Sequence, residues 1–257
     1  MRPNAIGAPA AASIAPVVLA DAAAVAERVA ALLLADRLRP TLPLGLATGR
    51  TMEPVYAALA RRLGCLEPAL ATRVRADWSS FNLDEYVGLG PQDPASFAAT
   101  MARQLVEPLG LDPERVRLPD GRAGDPEAEA RRYGAAVSGA GGIGLQLLGL
   151  GLNGHVGFNE PPADAAVACR CVTLSGPTRR QNAGAFGGDP NAVPQRAITL
   201  GMAEILAARR VLLVVTGGAK AAILRRALGE PPTPELPASW LQHHPALTVI
   251  ADAGAMG

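Results

Sequence analysis

The chain has 257 residues, 49% of them hydrophobic and 18% charged, a balance that supports a sizeable buried core and excludes an intrinsically disordered protein. Lys plus Arg number 24 against 23 Asp plus Glu, so no net field favours nucleic acid or an acidic membrane surface, and an anionic partner has to be met locally. The three cysteines, Cys65, Cys169 and Cys171, show neither zinc-knuckle nor CxxC spacing and read as reduced cytosolic thiols.

Residues 1–18 contain no sustained apolar segment of the signal-peptide kind. No apolar run reaches the roughly 18 residues of a membrane span, so a cytoplasmic location with no membrane partner is expected. The segment 21–36 places Val25, Val29, Leu32 and Leu33 at helical spacing behind Asp21, a suitable N-cap. An apolar run at 42–47 ends in the turn Thr48-Gly49-Arg50-Thr51, after which Val55, Tyr56, Leu59 and Leu63 return to helical spacing. The same unit of strand, polar glycine turn and helix recurs at 143–148 and at 211–215, where Thr216-Gly217-Gly218 leads into a helix near Lys220. A further apolar run lies at 247–251, and helical segments fall near 96–108, 126–138 and 199–209. Strands alternating with helices predict one α/β domain over 1–257, with a Rossmann-like, mostly parallel sheet and helices on both faces. In such sheets ligands bind at the carboxyl ends of the strands, so the glycine turns should share one edge.

Lys220 is the only lysine among the 24 basic residues. Two readings compete: survival by chance in an arginine-rich background, or a position that needs a compact ammonium. At the first turn of a helix the macrodipole disfavours a cation unless an anion sits beside it, which favours a phosphate at Lys220. The 48–51 turn offers backbone N–H groups, two hydroxyls and a helix N-terminus, suited to a phosphate and equally to an ordinary Thr-capped turn. Asp84 and Glu85 follow an apolar run at the expected carboxyl end of a strand; consecutive side chains face opposite ways, so at most one aims at a ligand.

The segment 148–162 gathers Asn153, His155, Asn159 and Glu160 in a glycine-rich loop. Gly149, Gly151 and Gly154 spell the dinucleotide fingerprint GxGxxG, but Pro161-Pro162 block a long helix and 165–188 contain no Asp or Glu to bind a ribose, so no nucleotide cofactor is expected. One of only three histidines, His155 lies five residues from a carboxylate, which suits a proton carrier near neutral pH. His243 and His244 read as packing or surface residues, and no His/Cys/carboxylate set has metal-ligand spacing.

The motifs LATGRT, FNLDEYVGL, SFAATM, LGLGLNGHVGFNEP, AITLG, GGAKA and LQHHP, in this order over 40–251, resemble the glucosamine-6-phosphate deaminase family, sister to the 6-phosphogluconolactonases. The resemblance implies cofactor-free conversion of glucosamine-6-phosphate, a small sugar phosphate, to fructose-6-phosphate and ammonia. It implies Asp84 as the base that moves a proton between C2 and C1, His155 as the group that opens the pyranose ring, and Glu160 as its orienting partner. Thr48, Gly49, Thr51 and Lys220 would cradle the phosphate. Three positions depart from the family pattern. Asn153 stands where some members carry Asp, so it can orient His155 by a hydrogen bond but supplies no charge. Gly184 stands where many carry Arg, and Arg50 stands inside the phosphate turn where Gly or Ser is usual. Arg50 is therefore expected to replace the missing guanidinium, helped by Arg179 or Arg180. Galactosamine-6-phosphate deaminase, a lactonase and a non-catalytic effector-binding module are the alternatives, and the sequence leaves homo-oligomer formation open.

Overall fold

The computed structural model describes residues 14–39 and 42–257, so most of the N-terminal stretch read for a targeting signal lies outside the described residues. Its strands are β1 (Val17–Leu19), β2 (Leu44–Leu46), β3 (Ser80–Asn82), β4 (Asp84–Tyr86), β5 (Val116–Arg117), β6 (Leu145–Gly149), β7 (Arg170–Thr173), β8 (Arg196–Thr199), β9 (Arg210–Val215) and β10 (Leu247–Asp252). Seven form a sheet in the order β1-β10-β9-β6-β2-β3-β5, and each neighbouring pair is parallel. The inner strands β6 and β9 are apolar almost throughout rather than alternating, as strands covered on both faces require.

The chain steps toward β5 on going from β2 to β3, and toward β1 on going from β6 to β9 and from β9 to β10. Right-handed crossovers then put the helices Ala22–Arg37 and Glu53–Gly64 on one face, where they pack together, and Ala221–Gly229 on the other. The first of these starts where expected, with the Asp21 carboxylate accepting from Ala24 N–H at 2.8 Å. Between β2 and β6 the direction of winding reverses, which opens a crevice at the carboxyl ends of these two strands. Among the described residues no helix is long and apolar enough to cross a membrane.

A second, antiparallel sheet of order β4-β8-β7 has no counterpart in the sequence reading. The run carrying Asp84 does not continue one strand; the chain leaves the parallel sheet after Asn82 and enters the second sheet at Asp84. Leu83 is the joint, its N–H donating to Leu46 O at 2.9 Å and its carbonyl accepting from Leu200 N–H at 2.8 Å. The helix expected over 199–209 is likewise shorter, Met202–Leu206, because 196–199 are spent on β8. Under the second sheet Tyr86, Phe158, Leu174, Ala183, Val193 and Ala197 form a small core of their own. The Tyr86 ring packs there against Phe97 and Phe158 at a tilt and against Phe186 edge-on, with centroids 4.7 to 5.5 Å apart.

Candidate active site

At the crevice the end of β2 turns sharply, with Gly49 at φ +113°, a conformation that a side chain would strain. The turn delivers Arg50 and Thr51 to the mouth of the helix Glu53–Gly64, whose N-terminus has no side-chain cap. Across the crevice, the turn after β9 is fixed by Asp252, whose carboxylate accepts from Gly217 N–H at 2.9 and 3.0 Å. It presents Lys220 at the start of the helix Ala221–Gly229, which also lacks a side-chain cap. The starts of both helices border one cavity. Among the described residues neither Lys220 nor Arg50 has a carboxylate partner, and the hydroxyls of Thr48 and Thr51 make no protein hydrogen bond. Burial, reinforced by the neighbouring Arg50 charge, holds the Lys220 ammonium below its ordinary pKa. Two cations without carboxylate partners thus stand at the starts of two helices, where the macrodipole would favour an anion.

Asp84 and Glu85 are separated by the alternation of β4. Asp84 is buried and lines the cavity, with no protein donor to its carboxylate among the described residues. Glu85 faces away and accepts from the backbone N–H groups of Tyr86, Phe97 and Ala98 at 2.8, 3.0 and 2.7 Å. One acid thus builds the start of the helix Phe97–Met101 while the other is left for chemistry. Burial, with the Glu85 charge second, pushes the Asp84 carboxyl up to about 8.

His155 lies over the backbone of Gly151, where a Cβ would come within 2.3 Å of the imidazole, so only glycine fits beneath the ring. Its Nδ1 is 2.6 Å from Asn153 Oδ1. The amide oxygen fixes the proton on Nδ1 and leaves Nε2 as the acceptor. Burial first, opposed by the Glu160 charge, lowers the His155 pKa to about 4, so the ring is neutral at pH 7. Asn153→Asp would set a carboxylate at this hydrogen bond and should raise the proton affinity of His155 by about tenfold or more. An NMR titration of the imidazole in both proteins tests this, and superimposable curves would refute it.

The orienting hydrogen bond therefore comes from Asn153, whose amide was expected to be able to supply it, and not from Glu160, to which the resemblance assigned that task. The Glu160 carboxylate is engaged elsewhere: it accepts from Ser175 N–H at 2.8 Å, from Ser175 Oγ at 2.6 Å and from the Thr178 hydroxyl. These bonds hold the start of the helix Gly176–Asn182, and Glu160 reaches His155 only through its field. That helix also corrects the expectation for Arg179 and Arg180, neither of which lines the cavity. Thr178, Gln181 and Asn182 share one face at i, i+3 and i+4, so the residues delivered to the cavity are Gln181 and Asn182. Asn182 Nδ2 donates to Tyr86 Oη at 2.9 Å, a contact between segments that sequence spacing does not reveal.

Thr48, Gly49, Arg50, Thr51, Asp84, His155 and Lys220 all line this one cavity of about 210 Å³, closed on one side by Phe97 and Phe158. His244 is buried elsewhere, with Nε2 2.7 Å from Ala208 O, in keeping with a packing role. Among the described residues no cluster of three His, Cys, Asp or Glu side chains is placed to hold a metal ion.

A doubly wound parallel sheet whose crevice gathers two unpaired cations, a buried carboxyl and a neutral imidazole defines a Rossmann-like protein with a polar cavity at its winding reversal. The chain belongs to the family of glucosamine-6-phosphate isomerases and 6-phosphogluconolactonases, which matches residues 17–250. It is 42% identical over 233 residues to a glucosamine-6-phosphate deaminase of Streptomyces coelicolor, covering 90% of this chain and 85% of that protein. A glucosamine-6-phosphate deaminase of Rhodopirellula baltica is 44% identical over 221 residues, with 85% of each chain covered. Among solved structures, a monomeric glucosamine-6-phosphate deaminase of the NagB superfamily superposes with a TM-score of 0.87 at 34% identity, covering 94% of this chain and 98% of that one.

Proposed function

We propose that this protein converts glucosamine-6-phosphate and water to fructose-6-phosphate and ammonia. The reading is carried by one observation: a buried carboxyl with no protein donor, Asp84, shares a cavity with the unpaired cations Lys220 and Arg50. A hexose phosphate offers an anion for the cations and carbon acids for the carboxylate. The close relation to proteins named for this reaction supports it.

The cradle of Lys220, Arg50 and the 48–51 turn holds the phosphate and so fixes the sugar against the far wall. Nε2 of His155 takes the proton of the anomeric hydroxyl as the ring bond to C1 breaks, and the ring oxygen is protonated in return. The ionised Asp84 then removes the C2 proton while a proton of the substrate ammonium passes to the C1 carbonyl oxygen, giving an enolamine, and Asp84 returns its proton to C1. The product is an iminium at C2, which water attacks; the C2–N bond breaks, ammonia leaves and the ketose remains. A cationic amino group next to Asp84 draws its carboxyl toward the ionised form, opposing the effect of burial.

Ammonia release, measured with glucosamine-6-phosphate and with galactosamine-6-phosphate, tests the reading and distinguishes the C4 epimers. No ammonia from either, with hydrolysis of 6-phosphogluconolactone instead, would replace it by lactonase chemistry, in which Asp84 has no task. Binding of the sugar phosphates without turnover would replace it by an effector-binding role. Arg50→Ala should raise KM by about tenfold with little change in kcat, the effect of losing one charge-assisted contact. An unchanged KM would show that Arg50 does not compensate for the absent guanidinium at Gly184.

A further inference from the structure

The anion cradle opens sideways into two further cavities. One, of about 430 Å³, adjoins Arg50, Thr51, Thr216 and Lys220; the other, of about 520 Å³, adjoins Thr48, Gly49 and Arg50 and runs past Gly184. Neither touches Asp84 or His155. Arg50 and Gln181 are the two residues that line both of these cavities and the central one. Gln181 therefore borders the same three cavities as Arg50, whereas Asp84 and His155 border only the central one.

Its position is held from both sides. Glu160 fastens the start of the helix Gly176–Asn182 through Ser175 and Thr178, and the next residue, Asn182, is tied to the Tyr86 hydroxyl at 2.9 Å. The Gln181 side chain itself is exposed and makes no hydrogen bond among the described residues. A solvent-facing amide with no protein partner, on a held stretch of backbone and lining the same cavity as two unpaired cations, is a ready third donor. We propose that Gln181 contacts the substrate directly, donating from Nε2 to the phosphate, and that together with Arg50 it serves where the chain has glycine at position 184. A neutral donor suits this place because Lys220 and Arg50 already supply the charge, and a third cation would repel them.

The inference rests on the phosphate reading of this cavity, and calorimetry with inorganic phosphate separates the two. Lys220→Ala should abolish phosphate binding, which reports on the site. Gln181→Ala should weaken phosphate binding by about 3- to 15-fold, in proportion to the loss of one hydrogen bond to a charged group, and raise KM for the sugar phosphate by a like factor with kcat within about twofold. Gln181→Glu should weaken it further, with a loss that shrinks as salt is added, since a carboxylate then faces the dianion. Gln181 is exposed, so both variants keep the fold. Equal phosphate affinity in the wild type, Gln181→Ala and Gln181→Glu, with binding still lost in Lys220→Ala, would overturn the role of Gln181 alone. Failure of the wild type to bind phosphate would overturn the site and the role together.

Discussion

Asp84→Asn is expected to lower kcat for ammonia release by on the order of 10²- to 10⁴-fold, the range of a general base removed from a site that is otherwise intact. Asn has the shape of Asp and cannot take a proton from C2, so KM should change little. The pH dependence provides a second, independent reading. With the free carboxyl near 8, kcat/KM of the wild type should climb through neutrality and level off above about pH 8, and this limb should vanish in the variant. His155, titrating near 4, contributes nothing to that limb.

The same substitution should raise stability. A folded-state pKa of about 8 against 3.8 for the free group means that the native state holds its proton where the unfolded chain has lost it. The wild type therefore loses stability, relative to Asp84→Asn, as pH rises from about 4 to about 8. Below about pH 4 both states are protonated and the two proteins should melt alike. For a chain of this size each kcal/mol recovered is worth about 2–4 °C in Tm. Equal melting temperatures at pH 8 would show that Asp84 is not destabilised by its burial.

Lys220→Ala is expected to raise KM by well over tenfold, and by up to about 150-fold, the loss of an ionic hydrogen bond to a dianion in a half-buried site. Lys220→Arg should recover only part of this, because a planar guanidinium cannot take the place of a compact ammonium between two helix ends. The effect should be largest at low ionic strength. A KM that does not move in Lys220→Ala would remove the anion cradle from the mechanism.

The sequence made the central sheet and four of the site's groups legible for a common reason. The 48–51 turn, Lys220, Asp84 and His155 each sit beside a strand end, where a polar or glycine-rich stretch interrupts an apolar run and topology alone brings the pieces to one edge. What stayed hidden depends on contacts between distant segments. Glu160 read as a partner for His155 because the two are five residues apart, whereas its bonds go to Ser175 and Thr178 on another element. Gln181 and Asn182 were overlooked in favour of Arg179 and Arg180, since charge drew the reading and only the helical phase shows which pair faces the cavity. The three-stranded sheet escaped because DEY, RCVT and RAIT are too short and too mixed to show a period of two.

The joint at Leu83 divides the labour of the scaffold. Lys220, Arg50 and the 48–51 turn hang from the parallel strands, whereas Asp84 rides on the antiparallel unit, to which Gln181 is tied through the Asn182–Tyr86 bond. A slide of one unit past the other by a fraction of an ångström would shift Asp84 while leaving Lys220 and Arg50 where they are. Turnover can therefore drift through substitutions at Phe186 or Val193, which pack under Tyr86 and do not line the cavity, with Lys220 and Arg50 left in place.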